Sequence, residues 1–163
     1  MVDKDIEYKD IVKAVVKEIR KEENEKKKKE IFHNTKILMR NYNDLKSHMK
    51  NAIDNVNGLD STDIDLTNLN TDEIYILSIK KSKVKTVIMI SNIDIALKAL
   101  KKKQINNNTM EKYKALELYY LKEKTYEELA EDLKCSVISG RRWVSEMLRE
   151  LSVFLFGIEA LKI

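Results

Sequence analysis

With 163 residues, of which 43% are hydrophobic and 36% charged, the chain has apolar material for a core inside a very polar surface and fits one or two small domains. Its single cysteine, Cys135, excludes a disulfide framework and a zinc cluster, and no uninterrupted apolar run nears the roughly 18–20 residues of a membrane span. The formal net charge of +4 is uneven, because residues 80–103 hold eight lysines against one aspartate while both flanks are slightly acidic.

Proline is absent and glycine occurs only at 58, 140 and 157, so the composition predicts an all-α fold. Residues 5–19 place Ile11, Val12, Val15, Val16 and Ile19 on one helical stripe. A charged stretch follows at 20–30. The apolar pattern then resumes at Ile31, Thr35, Leu38, Tyr42, Leu45, Met49, Ala52 and Val56, in steps alternating between four and three. Such a seam builds a helical hairpin or a coiled coil, and residues 1–56 are read as an N-terminal helical segment. Pairing within the chain and a homodimer through 31–56 both fit that spacing. Residues 57–71 are rich in Asn, Asp, Ser and Thr and read as a polar loop, with Thr71 as the cap of the next helix.

Residues 72–105 read as a central basic helix region. Apolar residues recur at 74, 77, 84, 88 and 95, with a second row at 87, 90, 97 and 100. The lysines Lys80, Lys81, Lys83, Lys85, Lys101, Lys102 and Lys103 make a stripe suited to phosphate contacts, or simply a solvated face. Lys101 to Asn108 reads as a second polar linker.

The last segment, 106–163, carries the functional signal. Tyr113, Leu116, Tyr119 and Tyr120 give a first short helix its apolar face. Thr125 and Glu128 form the ends of a capping box that opens a second, with Thr125 a further phosphate candidate. After a turn at Lys134-Cys135-Ser136, a third helix runs from Val137 to about Phe154, with Trp143, Met147, Leu148 and Leu151 inward. Ala130 supplies the small residue that two crossing helices need, and Leu133, Cys135 and Trp143 supply apolar anchors around the turn. These features predict a helix-turn-helix whose groove face presents Ser136, Val137, Ser139, Arg141, Arg142 and Ser145 to double-stranded DNA. The apolar end at 153–161 is read as closing the core of this segment.

The stretch TYEELAEDLKCSVISGRRWVSEMLREL (125–151) resembles the helix-turn-helix of region 4 of bacterial sigma factors, through Thr125, Glu128, Leu129, Ala130, Leu133, Ser136, Trp143, Leu148 and Leu151. With Tyr75 to Thr86 and Phe156 to Leu161, the layout is similar to sigma-like phage late-gene regulators of the ArpU/RinA type. The resemblance implies a phage or prophage late-gene transcription regulator with RNA polymerase as a partner. A cytoplasmic location is expected separately, from an N-terminus of alternating acid and base with no apolar h-region. Gly140 departs from the branched anchor common in such modules, and Lys134 from the glycine common in the turn. The lone histidines His33 and His48, the scattered carboxylates and the lack of a phosphate-binding glycine loop give no catalytic, cofactor or metal site, so a non-enzymatic protein is expected. Two other readings fit the same helices. One is a DNA-recognition subunit for phage packaging, similar to a small terminase, and the other is a helical protein-interaction module.

Overall fold

The computed structural model describes the backbone of residues 2–54 and 68–157, and the side chains of residues 12–50 and 68–157. Among the described residues every regular element is helical, as the composition predicts. Helix α1 (Val2–Arg40) runs for 39 residues through both the apolar stripe and the charged stretch, where lysine and glutamate are good helix formers. It ends at Asn41, whose side-chain amide donates to the Ile37 carbonyl (2.9 Å), the same oxygen that its backbone N–H uses (3.1 Å). Asparagine commonly competes for backbone carbonyls in this way and weakens a helix locally. Helix α2 (Tyr42–Asp54) follows at once.

The predicted seam is closed within the chain. Thr35, Leu38, Tyr42 and Leu45 are buried, Met49 packs against the same core, and the Thr35 hydroxyl is satisfied by the Ile31 carbonyl at 2.8 Å. A homodimer through 31–56 therefore has no free face over the described part of that seam. Ala52 and Val56 lie outside the described side chains, as does the 57–71 loop apart from residues 68–71.

Two helices replace the expected single basic region. Helix α3 (Thr71–Lys80) is capped by Asn70, one residue earlier than expected, in a reciprocal capping box with Glu73. Ser82 caps helix α4 (Lys83–Asn106). The buried Thr86 hydroxyl donates to both the Ile79 and Ser82 carbonyls, tying the two helices across their joint. On α4 the core takes Ile90, Ile93, Ala96, Leu97 and Leu100, whereas Val84, Val87, Ile88 and Ile95 remain exposed. The linker expected from Lys101 shrinks to Asn107–Thr109, because α4 continues to Asn106. Gln104 explains this continuation: it is buried, donates to Glu150 at 2.8 Å and accepts from the Thr109 hydroxyl at 2.6 Å. A polar side chain so satisfied can sit inside without a large desolvation penalty.

Helix α5 (Met110–Leu116) passes into a π-helical turn (Glu117–Leu121), then come helix α6 (Tyr126–Leu133) and helix α7 (Val137–Phe156). Helix α7 packs on α1, α4, α5 and α6 and places Val144, Met147, Leu148 and Leu151 at the centre. The three helical segments read from the sequence thus share one core. Leu155 and Phe156 join its edge while Phe154 stays exposed, so the apolar chain end closes the core only in part as far as Gly157. No helix among the described residues is long and apolar enough to cross a membrane.

Candidate nucleic-acid interface

The α6–turn–α7 unit is built by local chemistry. At the start of α6 the Glu128 backbone N–H donates to the Thr125 hydroxyl oxygen (3.2 Å), and the Glu128 carboxylate accepts from the Thr125 backbone N–H (2.8 Å). At its end the Lys134 N–H reaches the Glu131 carbonyl and the Cys135 N–H reaches the Ala130 carbonyl, the paired bonds of a Schellman stop. That stop needs a left-handed residue, and Lys134 supplies it with φ 51° and ψ 46° where glycine is the easier choice. Ser136 then caps α7 by accepting from the Ser139 N–H at 3.0 Å.

Side-chain volume decides how closely the two helices approach. Leu129 and Ala130 of α6 are buried, and Gly140 of α7 is buried opposite them. A Cβ at Gly140 would stand 2.7 Å from Leu129 Cδ2, nearer than carbon atoms pack. The departure at Gly140 therefore serves close approach, and Leu129 fills the place of the missing anchor. Trp143, expected inward, lies half-buried at the core edge, while Val144 takes the interior position.

On the solvent side the exposed residues of α7 ahead of its last turn are Ile138, Arg141, Arg142 and Arg149, with Ser145 half-exposed between them. Their spacing of three and four residues makes one stripe. Two expected groove residues are placed differently. Val137 is half-buried on the side of the helix that faces the body, and Ser136 and Ser139 are engaged in the cap, their hydroxyls 2.9 Å apart. Ile138, not among the expected groove residues, is instead 81% exposed, the most open large apolar side chain among the described residues. Its signal was available in the helical angle: Ile138, not Val137, shares a face with Arg141, Arg142 and Ser145.

Arg141 lies over the Tyr126 ring, its guanidinium carbon 5.0 Å from the centroid, and Tyr126 stacks on Tyr119 at 4.3 Å. Burial, then the hydrogen-bonded Tyr119, push the Tyr126 phenol well above its ordinary pKa, so it stays neutral beneath the guanidinium. Such stacking orients the arginine without neutralising it. Arg142 has a loose contact with Glu146 at 3.8 Å, and that carboxylate is held more tightly by Lys112 at 2.8 Å. On α6 Glu127, Glu128, Glu131 and Asp132 are exposed and acidic, so the positive charge of this unit lies on α7 and at the exposed Lys134 of the turn.

The lysine stripe does not gather at this face. Lys83 and Lys101 sit 18 positions apart on α4, about 27 Å at the helical rise. Lys80 is paired with Asp44 of α2, and Lys103 with Glu150 in the C-terminal half of α7. Lys101 leans over the Tyr113 ring at 5.8 Å, and Lys81, Lys83, Lys85 and Lys102 are exposed. Thr125 is exposed but committed to its cap. The histidines have partners, His33 with Asp72 at 2.9 Å and His48 with the Lys80 carbonyl at 3.3 Å. Among the described residues no cluster of metal-ligating side chains occurs.

The α6 capping box carries a pH prediction. The hydrogen bonds from Thr125, backbone first and then hydroxyl, hold the Glu128 carboxyl below its ordinary 4.5. A depressed carboxylate stabilises the fold above its unfolded-state pKa, and that contribution is lost as pH falls through the folded value. Glu128→Gln is thus expected to flatten the acid limb of thermal stability below pH 4.5. An acid limb identical to that of the parent chain would remove Glu128 from this role.

Comparison with protein-family models, with curated proteins and with solved structures returns no match to this chain.

Proposed function

We propose that the chain is a sequence-specific double-stranded DNA-binding protein that regulates transcription and has no enzymatic activity. The observation that carries this reading is the α6–turn–α7 unit, in which the Gly140–Leu129 contact seats the two helices closely and leaves Ile138, Arg141 and Arg142 standing out from the first turns of α7. A helix entering the major groove reads bases with its N-terminal residues, arginine pairing with guanine and an apolar side chain meeting the thymine methyl. Ser145 lies further along the same stripe, and Ser136 and Ser139 support it through the cap. The resemblance of 125–151 to sigma region 4 adds the setting: a cytoplasmic phage or prophage late-gene regulator with RNA polymerase as its partner. Lys81, Lys85 and Lys102 are available for non-specific phosphate attraction away from α7.

The acidic α6 surface favours a second reading, a protein-docking module that uses α6 and α7 together. Selection of bound fragments from a random DNA pool separates the two. The parent chain is expected to enrich one motif, and the Arg141→Ala/Arg142→Ala variant to lose it, at about 1–3 kcal/mol of discrimination per arginine. Salt-sensitive binding with no enriched motif, unchanged in the variant, would place the contact on the α4 lysines and return the packaging and docking readings. Since Arg141 and Arg142 are exposed, their removal leaves the core intact and a circular-dichroism melt serves as the folding control.

A further inference from the structure

Helix α1 has two parts with different surroundings. From Ile31 onward its inward side chains enter the core, whereas every described residue from Val12 to Glu30 is exposed except the half-buried Asn24 and Lys28. The exposed part is an arm of about 28 Å at the helical rise. On it Val12, Val15, Val16 and Ile19 are 43%, 52%, 41% and 51% exposed, with spacings of three, one and three residues that put them on one face. Single exposed apolar residues are ordinary on protein surfaces. Four together on a charged arm are not, and β-branched residues are poor choices for a solvated helix. This face calls for a partner helix.

The charge pattern selects the partner and its direction. In a parallel pair of arms the run Lys26–Lys29 would lie beside its own copy, placing eight lysines together with strong repulsion. An antiparallel pair about a two-fold axis between residues 15 and 16 sets Val12 against Ile19 and Val15 against Val16. It sets Lys13 against Glu18, and it carries the two Lys26–Lys29 runs to opposite ends of the pair. The same patch then meets itself, as a closed two-fold interface requires. We propose that two copies of this chain associate through an antiparallel pairing of their α1 arms at Val12, Val15, Val16 and Ile19. The dimer contact thereby lies outside the 31–49 seam, which the chain uses for its own core.

Light scattering on the full chain at tens of micromolar, without DNA, reads the association independently of the DNA-binding reading. The parent is expected at twice the 19.1 kDa chain mass and Val15→Glu/Ile19→Glu at onefold, with an unchanged helical spectrum because these side chains lie outside the core. Direction is read by disulfide trapping in a Cys135→Ser background. A Val12→Cys chain mixed with an Ile19→Cys chain is expected to cross-link at least tenfold faster than either chain alone. A monomeric parent would overturn the proposal, as would a dimer that survives Val15→Glu/Ile19→Glu. Self-cross-linking of the Val12→Cys chain at the rate of the mixture would overturn the antiparallel arrangement. A monomeric parent that sediments with vesicles of anionic phospholipid would instead assign the stripe to a lipid surface.

Discussion

Replacing Gly140 by valine is expected to lower the stability of the folded chain by about 1–3 kcal/mol, the range for overpacking a close-packed interior. The first added carbon alone would approach Leu129 Cδ2 to 2.7 Å. Leu129 is fully buried, so it can yield only by displacing its own neighbours or by opening the angle between α6 and α7. Removing a glycine from a helix interior offsets a few tenths of a kcal/mol, which is too little to reverse the sign. The clash can be separated from general damage by a double-mutant cycle. Leu129→Ala alone should cost about 2–5 kcal/mol as a buried large-to-small change. Combined with Gly140→Val, the two costs should fall short of their sum by roughly 0.5–3 kcal/mol, because each substitution relieves the fault of the other. Urea unfolding of the four proteins measures this directly, and strict additivity would show that the two side chains are not in contact. The same variant bears on function, since a wider α6–α7 angle alters how Arg141 and Arg142 are presented.

The second large effect lies at Tyr42, where the N-terminal helices meet α4. Its ring is buried, and its hydroxyl donates to Asp94 of α4 and accepts from Lys46 at 2.8 Å. Tyr42→Ala should cost about 3–5 kcal/mol, the range for deleting a buried aromatic ring. Tyr42→Phe should cost only about 0.5–1.5 kcal/mol, because Asp94 and Lys46 sit partly in water and can find it as a replacement partner. The comparison decides that ring burial, not the polar contact, dominates at this node. It also tests where the seam is closed. An intrachain seam predicts that the loss from Tyr42→Ala does not change with protein concentration, whereas a seam shared between copies would make it larger on dilution.

Much of this arrangement was legible in the residues because it depends on neighbours in sequence. A capping box needs residues three apart, and Thr125 with Glu128 predicted the start of α6 correctly. The steps of three and four from Thr35 to Met49 predicted which side chains would be buried, because those positions share a face on any helix. Boundaries set by distant groups were not legible. The linker read from Lys101 turned out to be helix because Gln104 finds Glu150, a residue 46 positions away. On α4 two apolar rows competed, and the inward choice depended on the surfaces of α3 and α7 that pack against it.

At the candidate interface the division is sharper. The residue types, their order around the turn and the position of the two arginines are properties of the sequence. So is the all-helical character, which follows from the absence of proline and the scarcity of glycine. Tertiary structure decided that Arg141 rests on Tyr126 and that the lysines of residues 80–103 do not gather at the exposed arginine stripe of α7. It also decided that the 31–49 seam is spent within the chain while the 12–19 stripe is left open. Both stripes have the same helical period, and a period states only that residues share a face. What covers that face is settled by the other helices that compete for it, and here the body of the molecule reaches only as far as Ile31.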